Sequence, residues 1–222
     1  MFYISRGVVR MLDINPEKIK SVIFDFAGTI YSGLYFNVSP NECENWRELF
    51  NTYIFDKFGK NDIETKVMNG ELGTEGIAKI ISEYAGLDIK SVVTFMEKGC
   101  KDLEFNPAVL DFAVKQKNEG SRIALVSVNM DIFTKTVVPA HGLENIFDVI
   151  VNSFDYKENK KGILWDIAFH KLGTGVGFSN SLLIDDGAEN VELFKELGGY
   201  AYQYRDDKSF SKWLISTGFN CK

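Results

Sequence analysis

The chain has 222 residues, 45% of them hydrophobic and 14% aromatic, enough for one large domain or for a core domain carrying a smaller insertion. A formal charge of −6 and a pI near 5.1 leave no basic excess to neutralise a phosphate backbone, which argues against nucleic acid as a partner; a small anionic substrate would need a local cation. The three cysteines, Cys43, Cys100 and Cys221, are odd in number, widely separated and not arranged as CxxC. They suggest neither a disulfide framework nor a zinc site, and fit a reducing, cytoplasmic setting.

At the N-terminus Arg6 and Arg10 interrupt the apolar residues before a signal-peptide stretch can develop. No segment approaches the ~18 uncharged apolar residues of a membrane span, so no membrane partner is expected. Residues 21–26, Ser-Val-Ile-Phe-Asp-Phe, read as a buried strand ending at Asp25, with Gly28 opening a loop. From about Tyr35 to Phe105 the pattern turns helical. Ser39-Pro40-Asn41-Glu42 reads as a capping box with proline at the first helical position, and Trp46, Leu49, Phe50, Tyr53 and Ile54 share one face beyond it. A second helix is expected from Thr74 to Gly86, with Ile77, Ile80, Ile81 and Tyr84 on one stripe, and Asp88 caps a third.

After Pro107 helices and apolar strands alternate: helix 107–118, strand 122–127, helix 131–141, strand 147–151, helix 162–172, strand 181–185, helix 188–197 and strand 200–204. This is the pattern of a parallel α/β sheet. Right-handed crossovers bring every strand C-terminus to one edge, where open α/β sheets bind ligands. The reading is therefore a Rossmann-like α/β core, residues 1–34 and 106–222, with a small α-helical subdomain inserted at 35–105.

Four signals fall on that edge. In Asp25-Phe-Ala-Gly-Thr29 a strand-tip carboxylate precedes glycine and threonine, suiting a nucleophile or a metal ligand; such a pattern arises by chance in roughly one chain in twenty, so alone it decides little. Ser127 ends Arg-Ile-Ala-Leu-Val-Ser, where its hydroxyl can bond a phosphate oxygen or cap a turn, and Asp131 reads as the cap of the next helix. Lys161, with Lys160 as a substitute, puts a cation near the sheet edge that could neutralise phosphate. Asp185 and Asp186 follow a buried strand together; two adjacent acids repel each other, whereas Mg²⁺ favours hard oxygen ligands. His141 and His170 read as surface or packed residues in helices.

With these residues in place, the chain resembles the haloacid dehalogenase-like (HAD) hydrolase superfamily over roughly residues 20 to 205. The resemblance is carried by D-F-A-G-T at 25–29, Ser127, K-G-I-L-W-D-I-A-F-H-K-L-G at 161–173 and I-D-D-G-A-E-N at 184–190, with a helical insertion like that of members bearing a C1-type cap. It implies that Asp25 is the nucleophile toward a small phosphorylated substrate. It also implies that Asp25, the Ala27 carbonyl and Asp186 hold Mg²⁺ with help from Asp185, and that Ser127 and Lys161 grip the phosphate. The sequence departs from the family at Ala27, where most phosphatases of the superfamily carry the acid/base aspartate; losing such a group typically costs ~10²–10⁴ in rate. Two alternatives follow. Alanine there resembles phosphonoacetaldehyde hydrolases, which would need a Schiff-base lysine among Lys57, Lys60, Lys66 and Lys79 of the insertion; or the site binds phosphate and Mg²⁺ without turnover. A metal-independent dehalogenase would leave Asp185 and Asp186 without a purpose.

Overall fold

The computed structural model describes residues 14–33, 35–55 and 62–219; Lys57, Lys60 and Cys221 lie outside them. The apolar runs form five parallel strands, β1 (Ser21–Phe24), β2 (Arg122–Ser127), β3 (Val149–Asn152), β4 (Ser181–Asp185) and β5 (Tyr200–Gln203), in the order β3-β2-β1-β4-β5. β1 and β4 are buried along their whole length, as strands covered on both faces must be. Phe24 is in register with Leu125 of β2 on one side and Ile184 of β4 on the other. The chain leaves β1 toward β2 and β3, then returns to β4 on the opposite flank. The strand order thus reverses between β1 and β4, where a crevice forms beyond the strand ends.

Alternation along the strands separates two cores. Val22 and Phe24 pack into one cluster with Phe112 of α5 (Pro107–Asn118) and with Phe210 and Leu214 of α11 (Asp207–Thr217). Ile23 and Leu183 face a second cluster with Trp165 of α9 (Lys161–Leu172) and Phe194 of α10 (Ala188–Glu196). At the strand starts the buried hydroxyls satisfy one another: Ser181 Oγ donates to the Gly177 carbonyl at 2.6 Å and accepts from Ser21 Oγ at 2.6 Å. Between β2 and β3 the helix from Asp131 contains a π turn over Phe133–Val137 and runs into α6 (Val138–Ala140), followed by α7 (Leu143–Ile146). Pro139 has no N–H to offer the Lys135 carbonyl, which accounts for the widened turn. A short α8 (Ser153–Tyr156) follows β3.

Between β1 and α5 lie α1 (Trp46–Tyr53), α2 (Ile63–Met68), α3 (Thr74–Ala85) and α4 (Ile89–Lys101). The expected capping box at Ser39 does not form. Residues 39–45 are coil and turn, the Cys43 N–H bonds the Pro40 carbonyl at 3.2 Å, and helix begins only at Trp46. Burial of Trp46, Leu49 and Phe50, with the Trp46 and Phe50 rings 5.0 Å apart, sets that start. α3 runs as expected and stops at Gly86, whose φ of 68° is left-handed. Tyr84 departs from its stripe: it is exposed and stacks on Tyr53 at 3.6 Å. Asp88 caps α4 through the Ser91 N–H at 3.1 Å.

Asp131 does not cap its own helix. Its Oδ1 accepts from the Thr74 N–H at 2.9 Å and from Thr74 Oγ1 at 2.7 Å, so a carboxylate after β2 caps α3 of the insertion; its Oδ2 pairs with Lys135. A second tie joins the two chain crossings. The Asn106 N–H bonds the Ile30 carbonyl at 2.8 Å, and Asn106 Nδ2 reaches the Thr29 carbonyl and Ser32 Oγ. The described helices include none long and apolar enough to cross a membrane.

Candidate active site

The loop after β1 is held open by its own backbone. The Asp25 N–H continues the ladder to the Ile184 carbonyl at 2.9 Å, and the Phe26 carbonyl then gathers the N–H groups of Thr29, Ile30 and Tyr31. The Gly28 N–H closes on the Tyr31 carbonyl at 2.7 Å, which leaves the Ala27 carbonyl outside this pattern. Glycine is required at 28 twice over. Its φ is +82°, and a Cβ there would come within 2.2 Å of an Asp186 carboxylate oxygen.

Lys161 is the first residue of α9, which aims its side chain at the strand ends. Its Nζ donates to Asp25 Oδ1 at 2.5 Å, to the Val126 carbonyl at 3.1 Å and to Asp185 Oδ2 at 3.4 Å. Lys160 is exposed, so of the two neighbouring lysines it is Lys161, the one that begins the helix, that reaches Asp25 and Asp185. Oxygen atoms of Asp25, Asp185 and Asp186 lie within 4.8 Å of one another. The two adjacent acids are not equivalent. Asp185 points inward from β4, fully buried, and both its oxygens are occupied by the Gly187 N–H at 2.8 Å, Asn190 Nδ2 at 3.0 and 3.2 Å, and Lys161. Asp186, turned the other way by the strand's alternation, is exposed over Gly28. The oxygens free to accept a cation therefore belong to Asp25 and Asp186, with Asp185 acting mainly as the anchor of Lys161.

Three carboxylates crowd together with one ammonium, which pairs with Asp25 and Asp185, and the titration of the group reflects it. Burial raises the Asp25 carboxyl most, Lys161 pulls it back, and Asp185 and Asp186 push it up again, leaving it at about 6. Burial works against the charge on Lys161, but Asp25 and Asp185 outweigh it and hold the ammonium above its ordinary value. Asp186 is raised by partial burial and then by Asp185. Buried Thr29 Oγ1 makes no close hydrogen bond, though it sits near enough to Asp186 to favour its anionic form. A divalent cation would relieve this crowding, and the all-oxygen donor set is that of a hard metal.

Ser127 is buried at the end of β2, one residue beyond the carbonyl that Lys161 touches, with Asn129 Nδ2 3.4 Å from its Oγ. The sequence-predicted residues Asp25, Ala27, Ser127, Lys161, Asp185 and Asp186 thus converge on one edge. Asn129, Tyr35 and Asn190 were missed. Asn190 sits inside the I-D-D-G-A-E-N segment, where a side-chain amide four residues past the acid pair was the available signal. Beside Ala27 opens a cavity of about 210 Å³, walled by Tyr31 and Tyr35, by Asn129, and by Arg47, Phe50 and Met68 of the insertion. Its lining is mostly apolar with a few convergent polar groups. Phe50, on the apolar face of α1, also lines this space. Of the remaining candidates, His141 is packed, its Nε2 3.1 Å from the Cys100 carbonyl, and His170 is exposed. Lys66 pairs with Asp62 at the surface and Lys79 is exposed, and neither lines the cavity.

No family model and no curated protein sequence matches the chain, and the likeness to known proteins is three-dimensional. A HAD family enzyme from Bacteroides thetaiotaomicron, solved in complex with magnesium and inorganic phosphate, superposes with a TM-score of 0.62 at 21% identity, over 84% of this chain and 94% of that one. A predicted HAD-like family hydrolase from Porphyromonas gingivalis gives 0.63 at 17% identity, over 89% and 98%. The L-2-haloacid dehalogenase of Xanthobacter autotrophicus gives 0.56 at 17% identity, over 91% and 87%. The chain has the α/β fold of the HAD enzymes.

Proposed function

We propose that the chain is a Mg²⁺-dependent HAD-type phosphohydrolase acting on a small phosphorylated metabolite, with Asp25 as the nucleophile and residues 35–105 as a C1-type cap. The observation that carries this reading is the Asp25 carboxylate, bonded by Lys161 Nζ at 2.5 Å and grouped with Asp185 and Asp186 at the switch point of the sheet. The magnesium and phosphate complex of the Bacteroides enzyme adds support from a protein of the same fold. Asp25, Asp186 and the Ala27 carbonyl would hold the metal. Mg²⁺ bound there would offset the repulsion between Asp25 and an anionic substrate and act as a Lewis acid on the phosphoryl group. Lys161 and Ser127 grip the phosphoryl oxygens, and Asp185 keeps Lys161 in place. Asp25 attacks phosphorus, the bond to the leaving oxygen breaks, and water hydrolyses the aspartyl-phosphate. Ala27 cannot activate that water, so the second step is slow. The free buried thiols Cys43 and Cys100 are compatible with a cytoplasmic setting.

The test is a Mg²⁺-dependent screen against aryl and acyl phosphates, sugar and nucleotide phosphates and phosphonoacetaldehyde. Turnover of the activated phosphates is expected, abolished in Asp25→Asn. No turnover of any of them with normal Mg²⁺ binding would instead make the chain a binding module.

Two further results follow. Gly28→Ala forces a left-handed residue into the loop, at about 1–2 kcal/mol of strain, and drives a methyl group into Asp186. Mg²⁺ titration by calorimetry should show a loss of affinity on the order of tenfold or more, since a metal ligand is displaced; unchanged affinity would remove Asp186 from the metal site. The pH dependence follows from Asp25. Its pKa in the fold lies above the ordinary aspartate value of 3.8, at about 6, so the fold prefers the protonated form, and ionisation costs stability that grows between those values and is constant above them. A cation relieves that cost only where Asp25 is ionised. The rise in Tm on adding Mg²⁺ should therefore be larger at about pH 7.5 than at about pH 5; an equal or inverse rise counts against a metal ligand at Asp25.

A further inference from the structure

Ala27 offers a departing alcohol no proton, but the cavity beside it contains a donor. Tyr35 is held in place by its ring, which stacks at 5.9 Å on Tyr31 and 6.3 Å on Phe26, near parallel to both. The Asn129 amide has a fixed orientation, because its Oδ1 takes the Met130 N–H at 2.9 Å, leaving Nδ2 to face Tyr35 Oη at 3.0 Å and Ser127 Oγ at 3.4 Å. An amide nitrogen only donates. Tyr35 Oη is therefore the acceptor in that contact, and its own hydrogen has no acceptor among the described residues. Tyr35 lines the same cavity as Ala27 and Asn129, and the Asp25 charge adds a little to the upward push on its phenol.

We propose that Tyr35 takes over the proton-donating half of the role absent at position 27, protonating the leaving-group oxygen as Asp25 attacks phosphorus. This rests on the reading of Asp25 as nucleophile. As the P–O bond breaks, its electron pair stays on the leaving oxygen, which takes the phenolic hydrogen; the phenolate regains a proton from water once the alcohol departs. Burial first, then the neighbouring Cys100, hold the phenol well above its ordinary range. It is therefore loaded as a donor throughout the physiological range and is no base, so it assists the first step and leaves hydrolysis of the aspartyl-phosphate unaided. The benefit grows with the basicity of the leaving oxygen, because transfer from a phenol to an alkoxide is downhill and to a nitrophenolate is not.

The test is kcat/KM, which reports phosphoryl transfer to the enzyme, for a series of Mg²⁺-supported substrates from dinitrophenyl phosphate through phenyl phosphate to an alkyl phosphate. Tyr35→Phe should lower it by ~10²-fold on the alkyl ester and leave the dinitrophenyl ester nearly unchanged. Ala27→Asp in the Tyr35→Phe background should restore the alkyl ester. An equal fall on every ester would reduce Tyr35 to a packing residue, and no fall would overturn the proposal outright. On the unaltered chain, a solvent deuterium isotope effect should appear with the alkyl ester and vanish with the dinitrophenyl ester; its absence from both also overturns the proposal. An unaltered chain that hydrolyses none of the series fails at Asp25, before Tyr35 is tested.

Discussion

Asp25→Asn is expected to reduce Mg²⁺-dependent turnover of aryl and acyl phosphates by on the order of 10⁴-fold or more, since an amide cannot attack phosphorus, the Asp185 oxygens are occupied by protein donors and Asp186 would be held by the metal. The variant should fold. Its side-chain amide keeps an oxygen to accept from Lys161, and the substitution removes an anion whose raised pKa, about 6, marks it as costly in the fold. Without metal at neutral pH its Tm should equal or exceed that of the unaltered chain. A lower Tm accompanying the loss of activity would mean that Asp25 is chiefly a structural partner of Lys161, a role that stability and activity measured together separate from catalysis.

Ala27→Asp should act in the opposite direction. Ala27 is exposed on the cavity wall, so a carboxyl there is not buried without solvent. The nearby Asp25 and Asp186 would raise its pKa and suit it to give a proton and then to take one from water. Steady-state turnover should rise by ~10²–10⁴, with the gain concentrated in hydrolysis of the aspartyl-phosphate. In rapid-mixing experiments with a nitrophenyl phosphate the unaltered chain should release a burst of nitrophenol ahead of a slow steady state, and the variant should not. A rate that does not rise would mean that position 27 is not within reach of the leaving group or of water.

Much of this edge was legible in the sequence because its signals are local. A buried parallel strand is a continuous apolar run, so β2 and β4 appear with their observed limits, and Asp25, Ser127 and Asp185 could be set at strand ends from the pattern alone. The helix start at Lys161 also left a trace, though not one fine enough to separate Lys161 from Lys160. What escaped depends on partners far apart in the chain. Asp131 looks like the cap of the helix it begins, but its partner Thr74 lies 57 residues earlier. Ser39-Pro40-Asn41-Glu42 satisfies the capping pattern, yet burial of Trp46 starts the helix later. The six-residue α2 is too short to show a period. Tyr35 and Asn129 meet across 94 residues, and neither stands in a distinctive local context. The unequal roles of Asp185 and Asp186 follow from which one points into the sheet, which a sequence of two aspartates does not express.

The claim on which the rest depends is that Asp25 carries the phosphoryl group. Mass spectrometry of the peptide holding Asp25, from protein quenched in acid during steady-state turnover of an acyl phosphate with Mg²⁺, tests it directly. One added phosphoryl group is expected on Asp25, accumulating in the unaltered chain because Ala27 cannot speed its hydrolysis, and absent from Asp25→Asn. Substrate consumed with Asp25 unmodified, or the phosphoryl group found on another residue, would contradict it.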